Sequence, residues 1–153
     1  MTPHPRTRSL TIEAWLLRGI SSIPGRLVLL DGAVSFVVDG TGSAWSWQLR
    51  RLEREFDAPG FASAVDEGTP RALFQWAVGT FRYSAPWYFF GGGIRLAHGA
   101  NVVRLSFGRP AETGAVNVAS AVNNLQKVAD MHRRGRLWLD TLASAESSIM
   151  NEY

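Results

Sequence analysis

The chain of 153 residues contains no cysteine and only one lysine, Lys127. Without cysteine it can form no disulfide bond and no thiolate metal site, and it is compatible with a reducing compartment. Long apolar runs are also missing, since the longest uncharged one, 85–94, is about half the length of a membrane-spanning helix. Glu13 and Arg18 interrupt what would be the core of a signal peptide. We therefore predict a cytoplasmic protein.

Excess charge of one sign is modest. Sixteen basic and thirteen acidic residues leave a net charge of +3 that is spread along the chain. A nucleic-acid partner usually requires a clustered basic face, so none is predicted. The three histidines show no metal-ligand spacing, and the sequence contains no nucleophile elbow and no Walker-type phosphate loop. These absences predict a protein that is not an enzyme and that holds no metal or cofactor.

The most informative positive feature is the pair Asp31-Gly32, which separates two apolar runs at 25–30 and 33–39. An Asp-Gly pair in this setting predicts a β-hairpin with a two-residue turn. Alternate residues of the second run share one face, as in a half-buried strand: Val34, Phe36 and Val38.

The rest of the chain predicts one domain with strands around a helical insertion. Residues 1–9 are predicted as a flexible tail and 10–22 as a first extended segment. Within an insertion at 43–68, apolar residues at spacings of four, three and four predict an amphipathic helix with Ser43 as its N-cap: Trp45, Leu49, Leu52 and Phe56. Further strands are expected at 72–78, 80–84, 87–90, 94–97 and 102–107.

The last predicted element is a long helix that begins near Thr113 or Asn117 and ends at Leu142, followed by a tail at 143–153. Its apolar residues recur at steps of three and four. The stripe consists of Ala121, Leu125, Val128, His132, Gly135, Leu139 and Leu142, with Met131 and Trp138 beside it. Gly135 in a helix interior indicates a kink or close packing.

The sequence Ile23-Pro24-Gly25-Arg26-Leu27, followed by Val34-Ser35-Phe36, resembles the GRAM branch of the pleckstrin-homology superfold. The resemblance covers residues 10–142. It implies an α+β fold: an open antiparallel β-barrel of about seven strands, with a helical insertion and a long C-terminal capping helix. It also implies binding of lipid headgroups or protein partners without catalysis.

Two pairs of residues are candidate ligand-binding groups. Arg18 and Arg26 flank the first predicted loop, where two guanidinium groups could hold a phosphate; alternatively, both are solvated arginines at strand ends. Trp87 and Tyr88 suit a membrane interface; alternatively, they belong to a barrel strand that turns at the following glycines. A third, basic segment at 131–136 lies on the last helix.

These observations predict a non-catalytic module, typical of a bacterial protein in its arginine-rich composition. Its partner would be an anionic lipid at the inner membrane face or a protein. The alternative is a protein-interaction or self-assembly domain without lipid binding, and homo-oligomerisation stays open. A small-ligand carrier with an internal pocket is the third class considered.

Overall fold

The computed structural model describes residues 9–18, 21–85, 92–108 and 118–150, and within the last range the side chains of 129–148. These residues form seven strands and three helices: β1 (Leu10–Arg18), β2 (Ser21–Leu30), β3 (Ala33–Val38), α1 (Ser46–Glu55), α2 (Phe61–Asp66), β4 (Arg71–Ala77), β5 (Arg82–Ser84), β6 (Gly93–His98), β7 (Asn101–Ser106) and α3 (Val118–Met150). The predicted strand at 87–90 lies outside the described residues, as do residues 19 and 20 of the first predicted extended segment.

All seven strands belong to one antiparallel sheet in the order β4-β3-β2-β1-β7-β6-β5. The predicted class is thereby confirmed at the level of an α+β fold with an open, seven-stranded antiparallel sheet and a C-terminal helix. The sheet is curled, because the ring of Trp76 on β4 stacks on that of His98 on β6, with centroids 4.8 Å apart. Four strands separate β4 from β6 in the sheet order.

The predicted hairpin is confirmed. Asp31 and Gly32 have φ values of 52° and 74°, and Leu30 pairs with Ala33 across the turn. Two consecutive positive φ values are what a type I′ turn requires, and its twist matches that of the flanking strands. The predicted inner face of β3 is confirmed as well, since its three residues are completely buried: Val34, Phe36 and Val38.

The first strand boundary differs from the prediction of one extended segment at 10–22. β1 ends at Arg18, and β2 begins at Ser21, four residues before the predicted start at Gly25. The longer β2 arises because residues 21–24 pair with residues 15–18 of β1. The Arg-Leu part of the GRAM-like pattern therefore lies in the middle of a strand.

Close packing at Gly25 yields a prediction about stability. A Cβ atom at this position would collide with the carbonyl oxygen of Val37 and lie 2.6 Å from Cζ of Phe36. Both neighbours belong to the buried sheet, so we expect Gly25→Ala to lower the free energy of unfolding by about 1–3 kcal/mol. Gly40→Ala is the matched control, because no atom lies within 4 Å of a Cβ there. Urea denaturation of both variants checks this, and equal stabilities would contradict it.

Helix α3 packs against β1 and β6. Two residues of the predicted stripe, Gly135 and Leu142, are buried, and the line that faces the sheet also includes Trp138 and Ala145. The side chains of Ala121, Leu125 and Val128 lie outside the described residues. Trp138, predicted beside the stripe, is at the centre of the buried line and is 0% exposed. The helix continues to Met150, so the predicted tail at 143–153 is wrong for residues 143–150.

A hydrogen bond ties the edge strand β5 to α3. The hydroxyl of Tyr83 donates to Oε2 of Glu146 at 3.0 Å. Burial, this hydrogen bond and the negative charge of Glu146 all raise the pKa of Tyr83 above its ordinary value of 10.0. A raised pKa favours the neutral phenol in the folded state.

The raised pKa of Tyr83 predicts a stability change at alkaline pH. The neutral phenol of Tyr83 contributes its full stabilisation of the folded state below pH 10. This contribution is lost as the pH rises through the higher pKa that Tyr83 has in the folded state. Ultraviolet titration of tyrosinate, taken as the difference between wild type and Tyr83→Phe, measures the pKa. We expect Glu146→Gln to bring it back towards 10.0. An unchanged titration in Glu146→Gln would contradict the assignment.

Candidate functional site

The segment that leads into α1 lies tightly against the start of β2. Ser43 donates its backbone N–H to the carbonyl of Ser22 at 3.1 Å, and its Oγ accepts the N–H of Ser22 at 2.9 Å. Gly42, with a φ of 56°, passes so close that a Cβ there would lie 2.6 Å from Pro24. Ser43 is therefore a strand contact, and the prediction that it caps the helix is wrong.

The N-cap of α1 is Trp45 instead. Its backbone N–H donates to Oε1 of Gln48 at 2.8 Å, and the buried hydroxyl of Ser21 donates to the same oxygen at 3.1 Å. Gln48 thus joins the first turn of α1 to β2. Because a residue at the N-cap lies outside the helical spiral, the spacing that placed Trp45 on the apolar side does not apply to it. It is 69% exposed.

The apolar side of α1 otherwise agrees with the prediction. Leu49 and Leu52 are buried, and Phe56, the residue after the helix, packs partly buried against the core. The insertion also contains the helix α2, in which Phe61 and Val65 are buried. The insertion therefore adds two short helices to the core of the sheet.

The opposite side of α1 combines aromatic and basic residues. Trp47 is 54% exposed, although a bulky aromatic residue is normally on the buried side of an amphipathic helix. Positions three, four and seven residues after it, which share its side of a helix, are exposed arginines. We use the name α1 face for this side of the helix, formed by Trp47, Arg50, Arg51 and Arg54, together with the exposed N-cap residue Trp45 at the start of the helix.

A cleft of about 270 Å³ lies beside the α1 face. The carboxylate of Glu55 forms ion pairs with two arginines, one at each oxygen. Nη2 of Arg18 lies 2.8 Å from Oε2, and Nε of Arg51 lies 3.0 Å from Oε1. Trp47 and Leu52 contribute further walls. Two guanidinium groups around one carboxylate leave one uncompensated positive charge in the cleft.

Arg18 is held in this cleft by a second contact as well. It follows Ile12, Ala14 and Leu16 in the alternation of β1 and so shares their inner side of the sheet. Its guanidinium carbon lies 5.9 Å from the ring centre of Phe56, a cation–π geometry. β1 and the end of α1 therefore fix Arg18 from two directions.

The structure does not bring the two predicted phosphate contacts together. Arg26 lies in the middle of β2, opposite Glu13, on the outer side of the sheet, whereas Arg18 is on the inner side. Five strand positions separate Arg26 from Ser21, the cross-strand partner of Arg18, which corresponds to roughly 17 Å. Arg26 is instead paired with Asp39 at 3.0 Å.

The remaining candidates from the sequence are the aromatic pair at 87–88 and the basic segment at 131–136. Trp87 and Tyr88 lie outside the described residues and remain predictions. In the basic segment of α3, Arg133 pairs with Asp130 at 2.6 Å, and Arg134 donates to the backbone oxygen of Phe107 at 3.1 Å. Two of its three arginines thus have partners within the protein.

The sequence analysis did not single out the exposed aromatic and charged residues of α1 that form this site: Trp47, Arg50, Arg51, Arg54 and Glu55. The signal that could have found them was a tryptophan among the charged positions of an otherwise regular amphipathic helix.

Comparisons with models of protein families, with curated proteins and with solved structures found no match. Within the described part of the chain, no helix is both long and apolar enough to span a membrane.

Proposed function

We propose that this protein is a non-catalytic binding module of pleckstrin-homology or GRAM type that attaches peripherally to an anionic membrane surface. The curled antiparallel sheet and the C-terminal helix that packs on it support the fold assignment. The location would be the cytoplasmic face of the membrane. The α1 face, rather than the pair Arg18 and Arg26, would make the contact.

The observation that carries this proposal is the exposure of Trp45 and Trp47 next to three exposed arginines. Tryptophan prefers the interface between headgroups and acyl chains, where its ring is in an apolar layer and its N–H stays hydrated. Arginines beside it attract anionic headgroups. A short helix with an aromatic and basic outer side is suited to lie in the plane of a membrane.

The charge around the α1 face sets the expected preference for anionic lipid. Four arginines (Arg18, Arg50, Arg51, Arg54) and two glutamates (Glu53, Glu55) leave two positive charges on and beside it. Each charge near an anionic leaflet contributes about 1 kcal/mol. The two charges together therefore contribute about 2 kcal/mol, which corresponds to about thirtyfold tighter binding to anionic than to neutral lipid. Screening by salt should weaken this preference.

Co-sedimentation with vesicles tests the proposal. We expect binding to phosphatidylcholine vesicles that contain phosphatidylserine, reduced binding at high salt, and weak binding to phosphatidylcholine alone. Equal absence of binding to both vesicle types would remove the membrane function. Binding to both with no salt dependence would remove the role assigned to the arginines.

A second candidate function, protein interaction or self-assembly, is favoured by the edge of the sheet at β4. Among the described strands, β4 pairs only with β3. A groove of about 320 Å³ runs beside it and is lined by Phe56, Phe74 and Trp76. An open strand edge beside a groove can accept an added strand. Light scattering tests self-assembly, and a strict monomer at high concentration would exclude it.

A further inference from the structure

The geometry around Glu55 points to a binding site for a phosphomonoester group, in which the carboxylate of Glu55 occupies the ligand position until the ligand displaces it. We propose that Arg18 and Arg51 hold the phosphate and that Trp47 forms the wall of the site. This inference rests on the proposed membrane function and names the headgroup chemistry that the α1 face would select.

The first argument is the convergence of two guanidinium groups from different elements. Arg18 comes from the end of β1 and Arg51 from the middle of α1, and they reach opposite oxygens of the same carboxylate. A phosphate offers more acceptor oxygens and more negative charge than a carboxylate. It can therefore accept both planar guanidinium groups at once, each through two parallel hydrogen bonds.

The second argument is that Arg18 is held in place, whereas Arg51 is exposed and only weakly paired. Arg18 is about one-third exposed and is fixed by the sheet and by Phe56. Arg51 is two-thirds exposed, and its contact with Glu55 is between neighbours on a helix surface. Ion pairs between exposed side chains are weak, and Glu55 is itself about one-third exposed, so exchange of its carboxylate for a phosphate has a small cost.

The third argument is the size and position of the cleft. Its volume of about 270 Å³ is near the lower limit of small-molecule pockets, about 300 Å³, and so suits a single headgroup. Trp47 belongs both to the cleft and to the α1 face. A lipid whose headgroup fills the cleft would therefore have its acyl chains beside the ring that enters the membrane.

The experiment compares lipids with different headgroup chemistry. Vesicles that contain phosphatidic acid, a phosphomonoester, are matched in surface charge to vesicles that contain phosphatidylserine, whose phosphate is a diester. We expect about tenfold tighter binding to phosphatidic acid. Arg18→Gln and Arg51→Gln should each remove this preference, whereas Arg104→Gln, an exposed arginine of β7, should keep it. Circular dichroism verifies that each variant is folded. If Arg18→Gln does not fold, Arg51→Gln still tests the proposal, because Arg51 is exposed on the helix surface.

The role of Glu55 is tested by removing its charge. We expect Glu55→Gln to raise the affinity for phosphatidic acid about fivefold, and to raise it more than the affinity for phosphatidylserine. Glu13→Gln is the matched control, since it makes the same charge change at an exposed position on the outer side of β1. An equal gain in the two variants, or equal gains for the two lipids, would overturn the displacement of Glu55.

Glycerol 3-phosphate in solution, measured by calorimetry, separates the two proposals. Equal binding of wild type to both lipids, without binding of glycerol 3-phosphate, overturns the phosphate site and leaves the membrane function standing. Binding of glycerol 3-phosphate that Arg51→Gln removes, without binding to any vesicle, supports the phosphate site and overturns the membrane function. Absence of binding to vesicles and to glycerol 3-phosphate overturns both.

Discussion

Replacing Trp138 by alanine is expected to lower the free energy of unfolding by about 3–5 kcal/mol, the usual cost of deleting a buried tryptophan side chain. Trp138 is completely buried and is the largest side chain through which α3 contacts the core. The substitution removes that contact and leaves a cavity at the junction of helix and sheet. Denaturant unfolding followed by circular dichroism measures the effect.

Two further substitutions make this result specific. Leu137, the preceding residue, is 52% exposed, so Leu137→Ala should change the stability by less than about 0.5 kcal/mol. Trp138→Phe keeps an aromatic ring and removes an indole N–H for which the described residues provide no acceptor. We expect Trp138→Phe to lower the free energy of unfolding by roughly half as much as Trp138→Ala does, or by less. A loss below about 1 kcal/mol in Trp138→Ala would show that α3 does not close the core.

The double substitution Trp45→Ala and Trp47→Ala is expected to lower the partition coefficient for anionic vesicles about thirtyfold. Each of the two tryptophan residues is more than half exposed. Full insertion would therefore remove on the order of 100 Å² of apolar surface per ring from water, worth about 2.5 kcal/mol. The smaller loss expected here, about 2 kcal/mol for both rings, corresponds to shallow insertion at the headgroup level.

The control for this loss is another pair of exposed apolar residues. Leu30 is 48% exposed and Leu137 is 52% exposed, and neither belongs to the α1 face. Leu30→Ala with Leu137→Ala should leave vesicle binding unchanged. If this pair reduces binding as much as the tryptophan pair does, general surface hydrophobicity drives the association. A tryptophan double variant that binds normally would exclude α1 from the contact.

Apart from the fold class, the features that the sequence predicted correctly are local ones. The turn at Asp31-Gly32 depends on the φ values of two residues, and the inner face of β3 depends on alternation over six residues. Both can be read from neighbours in the chain. In α3 the predicted stripe passed through Leu139 and left Trp138 beside it, because either residue continues from Gly135 to Leu142 in helical steps of three and four.

The candidate site could not be assembled from the sequence, because it depends on contacts between distant residues. Arg18 and Glu55 are 37 positions apart, and only the path of the chain from β3 into α1 brings them to 2.8 Å. The alternation of β1 and β2 also decides that Arg18 and Arg26 face opposite sides. A difference of one residue in the register would reverse this.

The central claim, that the α1 face enters the membrane interface, is tested most directly by a spin label. The chain contains no cysteine, so Ser46→Cys, between the two exposed tryptophans, provides one attachment site for a nitroxide. Ser144→Cys on the exposed side of α3 is the reference. With phosphatidylserine vesicles, we predict that the label at 46 gains access to oxygen and loses access to a water-soluble nickel complex, while the label at 144 does not change. A label at 46 that stays fully accessible to nickel on vesicle-bound protein would contradict the account.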